Sequence, residues 1–338
     1  MIYDKKQHEP LAGGAWDARR AGYAIADIVD AAVAGGPPGE AGIYAGVAGE
    51  IFALRTLGSD VDWEIGAGDG LGYVEGEVGV ALVTGDVARL RAAAPAVIDD
   101  PFNELLYGVA GALVAAVALN ADDVVAVAVE RLWNGWTYDP ELRACIWTQV
   151  TPQGVRGQIL GMAHGAAGNA YALLRAAGFQ SAQHQSELLE RIVELLDRTA
   201  LRDGRLANWP PRPGDPAARL RVQWCHGAPG IVCALAGAPA HRELDAILLA
   251  AGELTWTAGP LRKGPGLCHG TAGNGYAFLK LFRRTRDPKW LERARRFAMH
   301  SLGQLTGERG LYEGDLGVAL YLRACIDVDD RWPLLDVS

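Results

Sequence analysis

The residues able to do chemistry sit in three versions of one short turn. Gly266-Leu-Cys268-His269-Gly270-Thr-Ala-Gly273-Asn-Gly-Tyr-Ala-Phe-Leu279 sets a soft thiolate beside an imidazole, just before a glycine-punctuated turn and an apolar stretch. Trp224-Cys225-His226-Gly227-Ala-Pro-Gly230-Ile-Val-Cys-Ala-Leu235 has the same plan. Gly161-Met-Ala163-His164-Gly165-Ala-Ala-Gly168 keeps the His but carries Ala163 where the others carry Cys. Soft thiolates favour zinc over magnesium or calcium. Three copies of one turn, presenting Cys-His, Cys-His and His, read as walls of one site.

The elements that must position these residues form a repeat. Gly, two residues, Gly, then a mostly apolar stretch occurs seven times, starting at Gly46, Gly76, Gly108, Gly165, Gly227, Gly270 and Gly314. The residue two before the first Gly is Tyr44, Val74, Leu106, Ala163, Cys225, Cys268 and Tyr312 in turn, so one site of the pattern varies between apolar or aromatic residues and cysteine. The stretches that follow, such as 51–57, 80–83, 112–119 and 170–177, are rich in Ala, Leu and Val with no internal Pro and read as buried helices. Between copies lie amphipathic stretches. In 185–197, Leu188, Leu189, Ile192, Leu195 and Leu196 share one face; 289–300 and 241–253 are built alike. Seven pairs of one buried and one amphipathic helix, closed in a ring, predict an all-α double toroid, with the glycine turns gathered at one end. Closure removes the polar end caps that an open solenoid requires.

The longer gaps, 118–160 and 176–222, predict extra loops. Trp209-Pro-Pro-Arg-Pro-Gly-Asp-Pro216 must be non-helical and is placed as a rim or lid of the site. The glycines of 66–72 precede no βαβ unit, so a turn explains them better than a nucleotide loop. The run Arg283, Arg284, Arg286, Arg293, Arg295, Arg296 reads as a solvated outer face.

Composition bounds the rest. The 338 residues are 50% hydrophobic and 21% charged, enough for a sizeable core. A formal net charge of −8 argues against nucleic acid as the main partner. Five cysteines in so long a chain are not a secreted disulfide framework. The first residues carry no apolar signal core, and the longest apolar run, 109–119, is far short of a membrane span. A cytoplasmic protein with reduced thiols is the expectation; Cys145, Cys233 and Cys325 read as small buried hydrophobes.

At these motifs the chain resembles the lanthionine synthetase C-like (LanC-like) family. The likeness runs through all seven repeats. Trp-Cys-His-Gly-Ala-Pro-Gly at 224–230 and Gly-Leu-Cys-His-Gly at 266–270 are its most specific parts. Asn103-Glu-Leu-Leu-Tyr-Gly108 and Asn208-Trp-Pro-Pro211 look more like the stand-alone branch, found also in eukaryotes, than like dedicated lantibiotic cyclases. The resemblance implies one double α/α toroid domain over 1–338 with Zn²⁺ at one end. It implies Cys225, Cys268 and His269 as zinc ligands and His164 as general acid/base. It matches Arg221, four residues before the first zinc Cys, to a cyclase feature. Glu104 stands where the dedicated cyclases usually have Asp. His226, beside a ligand Cys, is a candidate relay group.

A Cys2His set with an open fourth position suits catalysis better than a closed structural site. The family implies an electrophile, dehydroalanine or dehydrobutyrine, and the product is a thioether. The first expectation is lanthionine-type cyclisation of a dehydrated peptide, with dehydration supplied by a separate kinase/lyase or dehydratase. The alternative is intermolecular addition of glutathione or another small thiol to dehydroamino acids in proteins. A third reading, of another class, is a non-catalytic zinc-containing peptide- or thiol-binding protein.

Overall fold

The computed structural model describes residues 2–150, 154–215 and 219–337. Its helices alternate between an inner and an outer ring. Helix α1 (Ala18–Gly35) is outer, and α2 (Val47–Thr56), α3 (Glu77–Thr84) and α5 (Val109–Ala118) are inner. So are α7 (Ala166–Arg175), α9 (Ala228–Leu235), α11 (Thr271–Thr285) and α13 (Asp315–Asp327), one after each glycine turn. The outer helices between them are α4 (Val87–Asp99), α6 (Asp122–Asn134), α8 (Ala182–Thr199), α10 (Arg242–Ala258) and α12 (Pro288–Ser301). Each inner helix touches the next, and α13 touches α2, so the inner ring closes. Nearly every residue of α5, α9 and α13 is buried, whereas α8 buries Leu188, Ile192, Leu195 and Leu196 and turns its charged face to solvent. No described helix is long and apolar enough to cross a membrane.

The expected seven pairs are incomplete. Among the described residues there are seven inner helices and six outer ones. No helix follows α2, because residues 57–76 are rich in Gly and Asp, and Val61, Trp63 and Ile65 alternate inward with a period of two. Their side chains pack against the core from a stretch without helix. The last repeat borrows α1, which packs on α13. The long gaps hold β-hairpins: β1 (Trp136–Asp139) with β2 (Ala144–Trp147), β3 (Gln149–Val150) with β4 (Arg156–Gly157), and β5 (Leu201–Asp203) with β6 (Leu206–Asn208). The Pro-rich stretch is non-helical through Asp215; Pro216 lies outside the described residues.

The glycines explain how seven turns fit at one end. Each inner helix begins at a glycine that offers no side-chain cap. Carbonyls of the preceding turn replace it. In α11, Thr271, Ala272 and Gly273 donate to Gly264, Pro265 and Gly266 at 3.0, 2.9 and 3.3 Å. The helix therefore folds back over its own lead-in, and the orphan first-turn donors are satisfied. A Cβ on Gly273 would lie 1.8 Å from the carbonyl oxygen of Leu267, and the second glycine of every other copy meets the carbonyl six residues earlier at 1.9–2.2 Å. Only glycine permits that approach.

The variable positions of the repeat form a ring that backbone hydrogen bonds trace at every junction but the one between Leu106 and Ala163. The backbone N–H of Tyr44 donates to Val74, Val74 to Leu106, Ala163 to Cys225, Cys225 to Cys268, Cys268 to Tyr312 and Tyr312 to Tyr44, at 2.9–3.4 Å. Cys225 and Cys268 are neighbours on this ring. The far end of the inner barrel is filled by the C-terminal segment. Trp332 stacks on Trp224 at 4.7 Å, and Asp336 pairs with the buried Lys280 ammonium at 2.6 Å while accepting from the Tyr171 hydroxyl at 2.8 Å.

Several of the outer arginines are pinned rather than solvated. Arg284 pairs with Asp245 at 2.6 Å, and Arg293 pairs with Glu253 and lies over the Trp256 and Trp290 rings. Arg283 and Arg286 are exposed as expected.

Candidate metal centre and its cleft

One residue beyond the variable position, the repeat carries Ala45, Glu75, Tyr107, His164, His226, His269 and Glu313. Six of the seven are polar. The turns bring five of these side chains, Glu75, Tyr107, His164, His226 and His269, round one cleft of about 690 Å³ that Cys225 and Cys268 also line, while Ala45 and Glu313 line a neighbouring one. This second ring is a periodicity that the cysteines obscure. It is the signal by which Tyr107, Glu75 and Glu313 could have been picked out of the sequence.

Cys225, Cys268 and His269 converge. Their donor atoms all lie within 4.8 Å of one another, and both cysteines are buried. Tetrahedral zinc, with Zn–S of ~2.3 Å, needs sulfurs roughly 3.8 Å apart, so this donor set fits the ion. Neighbouring positions on the hydrogen-bonded ring set that spacing. The hydrogen bond between the two sulfurs holds the Cys225 pKa well below its ordinary value and pushes that of Cys268 up. The Gln223 amide also donates to the Cys225 sulfur at 2.9 Å. His269 Nε2 lies 2.6 Å from Glu313 Oε1, and that oxygen accepts from the Tyr44 hydroxyl at 2.9 Å.

His164 stands across the cleft. Its Nδ1 donates to Glu104 Oε2 at 2.9 Å. The Glu104 side chain is 2% exposed, and its other oxygen accepts the Tyr107 backbone N–H at 2.5 Å. Burial alone would lower the His164 pKa, but the hydrogen bond and charge of Glu104, helped by Cys225, raise it overall against the opposing Arg221. His164 stacks on Tyr107 at 6.4 Å and meets the ring of His226 at 5.7 Å. His226 is held neutral: burial first, then the charges of His164 and Arg221, push its pKa down to about 4. Its Nδ1 is buried without a hydrogen-bond partner.

Arg221 lines the main cleft and a side chamber of about 350 Å³ shared with His164, His226, Pro211, Arg212 and Asp215. The Pro-rich loop thus walls the site, and Trp209 anchors it by donating to Leu196 at 2.9 Å. The turn carrying Cys225 is fixed from the same side. Gly227 has φ +105°, a Cβ there would lie 2.2 Å from the Arg221 carbonyl, and Asn208 bridges Arg221 and Ala228. Lys6, Arg219, Arg221, Arg262 and Lys263 also face the cleft, so an acidic chain presents a basic mouth. Cys233 and Cys325 lie in the core, and Cys145 is half-buried on β2.

Comparison with known proteins agrees with this architecture. A stretch of 144 residues is 38% identical to glutathione S-transferase LANCL1 of Danio rerio, covering 42% of this chain and 35% of that protein. Another of 142 residues is 37% identical to LanC-like protein GCL1 of Arabidopsis thaliana, covering 37% of this chain and 32% of that one. The chain therefore matches about a third of the length of these curated relatives. Nisin cyclase has the same fold, with a TM-score of 0.67 over 94% of this chain and 96% of its own at 17% identity. A family model described as lanthionine synthetase C-like protein matches residues 85–337, and with its toroid and its Cys-His turns the chain belongs to that family.

Proposed function

We propose that this protein adds a thiol to the β-carbon of a dehydroalanine or dehydrobutyrine residue, forming a thioether. The observation that carries the reading is the convergence of Cys225, Cys268 and His269 on a cleft that also holds the His164–Glu104 pair. Bound by those three residues, zinc would supply the Lewis acidity that makes a thiolate of an entering thiol at neutral pH.

The chain's own residues supply the rest. Addition forms the Cβ–S bond, breaks the Cα–Cβ π bond and leaves an enolate, which must take a proton at Cα. Glu104 occupies Nδ1 of His164 and favours the imidazolium, so Nε2–H is the acid that delivers it. His226, neutral by burial, is suited to accept a proton rather than give one. The proton lost by the thiol balances the one gained at Cα. Arg221 lines the same chamber as both histidines, and in this reading its guanidinium stabilises the enolate.

The thiol can come from the same peptide, closing a lanthionine ring, or from a small molecule. Five cations at the cleft favour the second version, because a thiol bearing carboxylates such as glutathione meets a complementary field there; the Danio rerio relative is itself named a glutathione S-transferase. In either version a separate kinase/lyase or dehydratase makes the dehydroamino acid.

The test is mass spectrometry of a dehydrated peptide incubated with zinc-loaded protein, with and without an internal Cys and with added glutathione. Loss of alkylatable Cys without mass gain supports ring closure, and a gain of one glutathione mass supports transfer. A zinc-loaded protein that does neither is a binding protein, and the catalytic reading falls. Removal of the metal with a chelator should abolish either activity.

A further inference from the structure

We propose that the side chamber beside His164 is an anion subsite for the acceptor peptide. It takes a carboxylate or phosphate carried by a side chain close to the dehydroamino acid. The proposal rests on the thiol-addition reading above and names the class of acceptor.

The cations of the site fall into two groups. Among the described residues, Lys6, Arg262 and Lys263 line the main cleft together with Cys225, Cys268 and His269, and none of these six lines the chamber. Arg212 lines only the chamber, and Arg219 and Arg221 line both spaces. His164 and His226 also border both. A thiol held by the two cysteines and His269 therefore occupies the main cleft, while the chamber opens beside the acid. The carbon that takes its proton from His164 belongs to the acceptor, so it is the acceptor chain that reaches the chamber.

The chamber has fixed walls. The Leu160 N–H donates to the Pro211 carbonyl at 3.1 Å and the Ile159 N–H to Gln149 Oε1 at 3.0 Å, which ties the Pro-rich loop to the turn carrying His164. Gln7 donates to the Leu220 carbonyl and Asn208 to that of Arg221, each at 3.1 Å, so the backbone between Arg219 and Arg221 is held from two sides. Arg212 lies along β4, its Nε 3.6 Å from where a Gly157 Cβ would stand. The carboxylate on the wall, Asp215, already has a partner, and Asp4 draws on Arg219 from outside the chamber. Among the described residues no hydrogen bond or ion pair engages the guanidinium of Arg212 or Arg221. Arginines gathered without a counter-charge repel one another, and a bound oxyanion relieves that repulsion. The planar fork of a guanidinium matches carboxylate and phosphate alike. A volume of about 350 Å³ lies at the low end for ligand pockets and suits one side chain rather than a length of peptide.

Binding is measured by fluorescence anisotropy with labelled dehydroalanine peptides and the full chain, in the absence of thiol. The peptides carry Ala, Asp, phosphoserine or Lys in turn at each position flanking the dehydroalanine. The best acidic peptide should bind about fivefold tighter than its Ala counterpart, or more. A larger gain for phosphoserine than for Asp assigns a phosphate, and equal gains assign either oxyanion. Arg212→Ala should remove most of that advantage, and Arg212→Glu should turn the preference towards the Lys peptide, which an unfolded chain could not do. Peptides that all bind the parent alike overturn the proposal, as does an acid preference that survives Arg212→Ala combined with Arg219→Ala. An Arg212→Ala chain whose KM rises for glutathione while its acceptor preference stays intact assigns the chamber to the thiol and overturns it too. If acidic peptides bind as expected but no thioether forms, the subsite stands and the thiol-addition reading falls.

Discussion

Replacing Glu104 by Gln removes a buried negative charge while keeping side-chain shape and an oxygen for the Tyr107 N–H. What disappears is the carboxylate that stabilises the His164 imidazolium. A hydrogen bond to a charged group contributes about 1.5–3 kcal/mol. The His164 side chain is 35% exposed, so solvent screens the pair and the lower end applies. About 1.5 kcal/mol corresponds to roughly a tenfold change in the His164 protonation equilibrium, so kcat/KM should fall by up to about tenfold on the alkaline side if His164 is the acid. Burial is the largest influence on His164 and acts downward, so without Glu104 it prevails. The alkaline limb of the pH–rate profile should therefore move to lower pH, and the deficit should narrow as pH falls. A second readout is stability without metal. His164 has a raised pKa in the folded chain, so its contribution is complete below the ordinary 6.5 and fades as pH climbs through the folded value. In Glu104→Gln that slope should reverse, because a His164 whose pKa is lowered by burial destabilises the fold as pH falls. An unchanged profile, or a loss independent of pH, would refute the reasoning and leave Glu104 as a cap for the 104–107 turn.

Other outcomes follow from the same geometry. His164→Ala should keep its zinc, read by elemental analysis, but lose about 10²- to 10⁴-fold in thioether formation, whereas Cys268→Ala should lose zinc and activity together. Gly273→Ala forces a Cβ to within 1.8 Å of the Leu267 carbonyl and should cost about 1–3 kcal/mol or more by urea unfolding. Gly22→Ala, in α1 with nothing within 4 Å, should instead gain up to about 1 kcal/mol. Lys280→Ala leaves Asp336 buried without its ammonium and should cost about 3–5 kcal/mol in the same assay.

The ring architecture was legible because it is local. Each Gly-x-x-Gly turn announces a helix that starts without a cap, and the apolar stretch after it says that the helix is buried. The exception, 57–76, was legible too: its Gly and Asp content and the period-two spacing of Val61, Trp63 and Ile65 speak against a helix, and a repeat-wide expectation overrode them. The borrowing of α1 by the last repeat was not legible, since ring closure joins residues some 300 positions apart and leaves no local trace.

The site divides in the same way. Sequence by itself determined which donors are present, a thiolate or imidazole at fixed offsets from glycines that tolerate no side chain, because that chemistry and that steric limit are properties of the turn. Tertiary structure alone decided which turns become neighbours. Backbone hydrogen bonds round the ring put Cys225 beside Cys268 and Tyr312 beside Tyr44. That order set Glu313 against His269 and Glu104 against His164, and packing round the cleft opposed the two histidines' protonation, one favoured by a carboxylate and the other kept neutral by burial. A pKa and a tautomer depend on charges and solvent that arrive from other repeats, which is why spacing along the chain cannot state them.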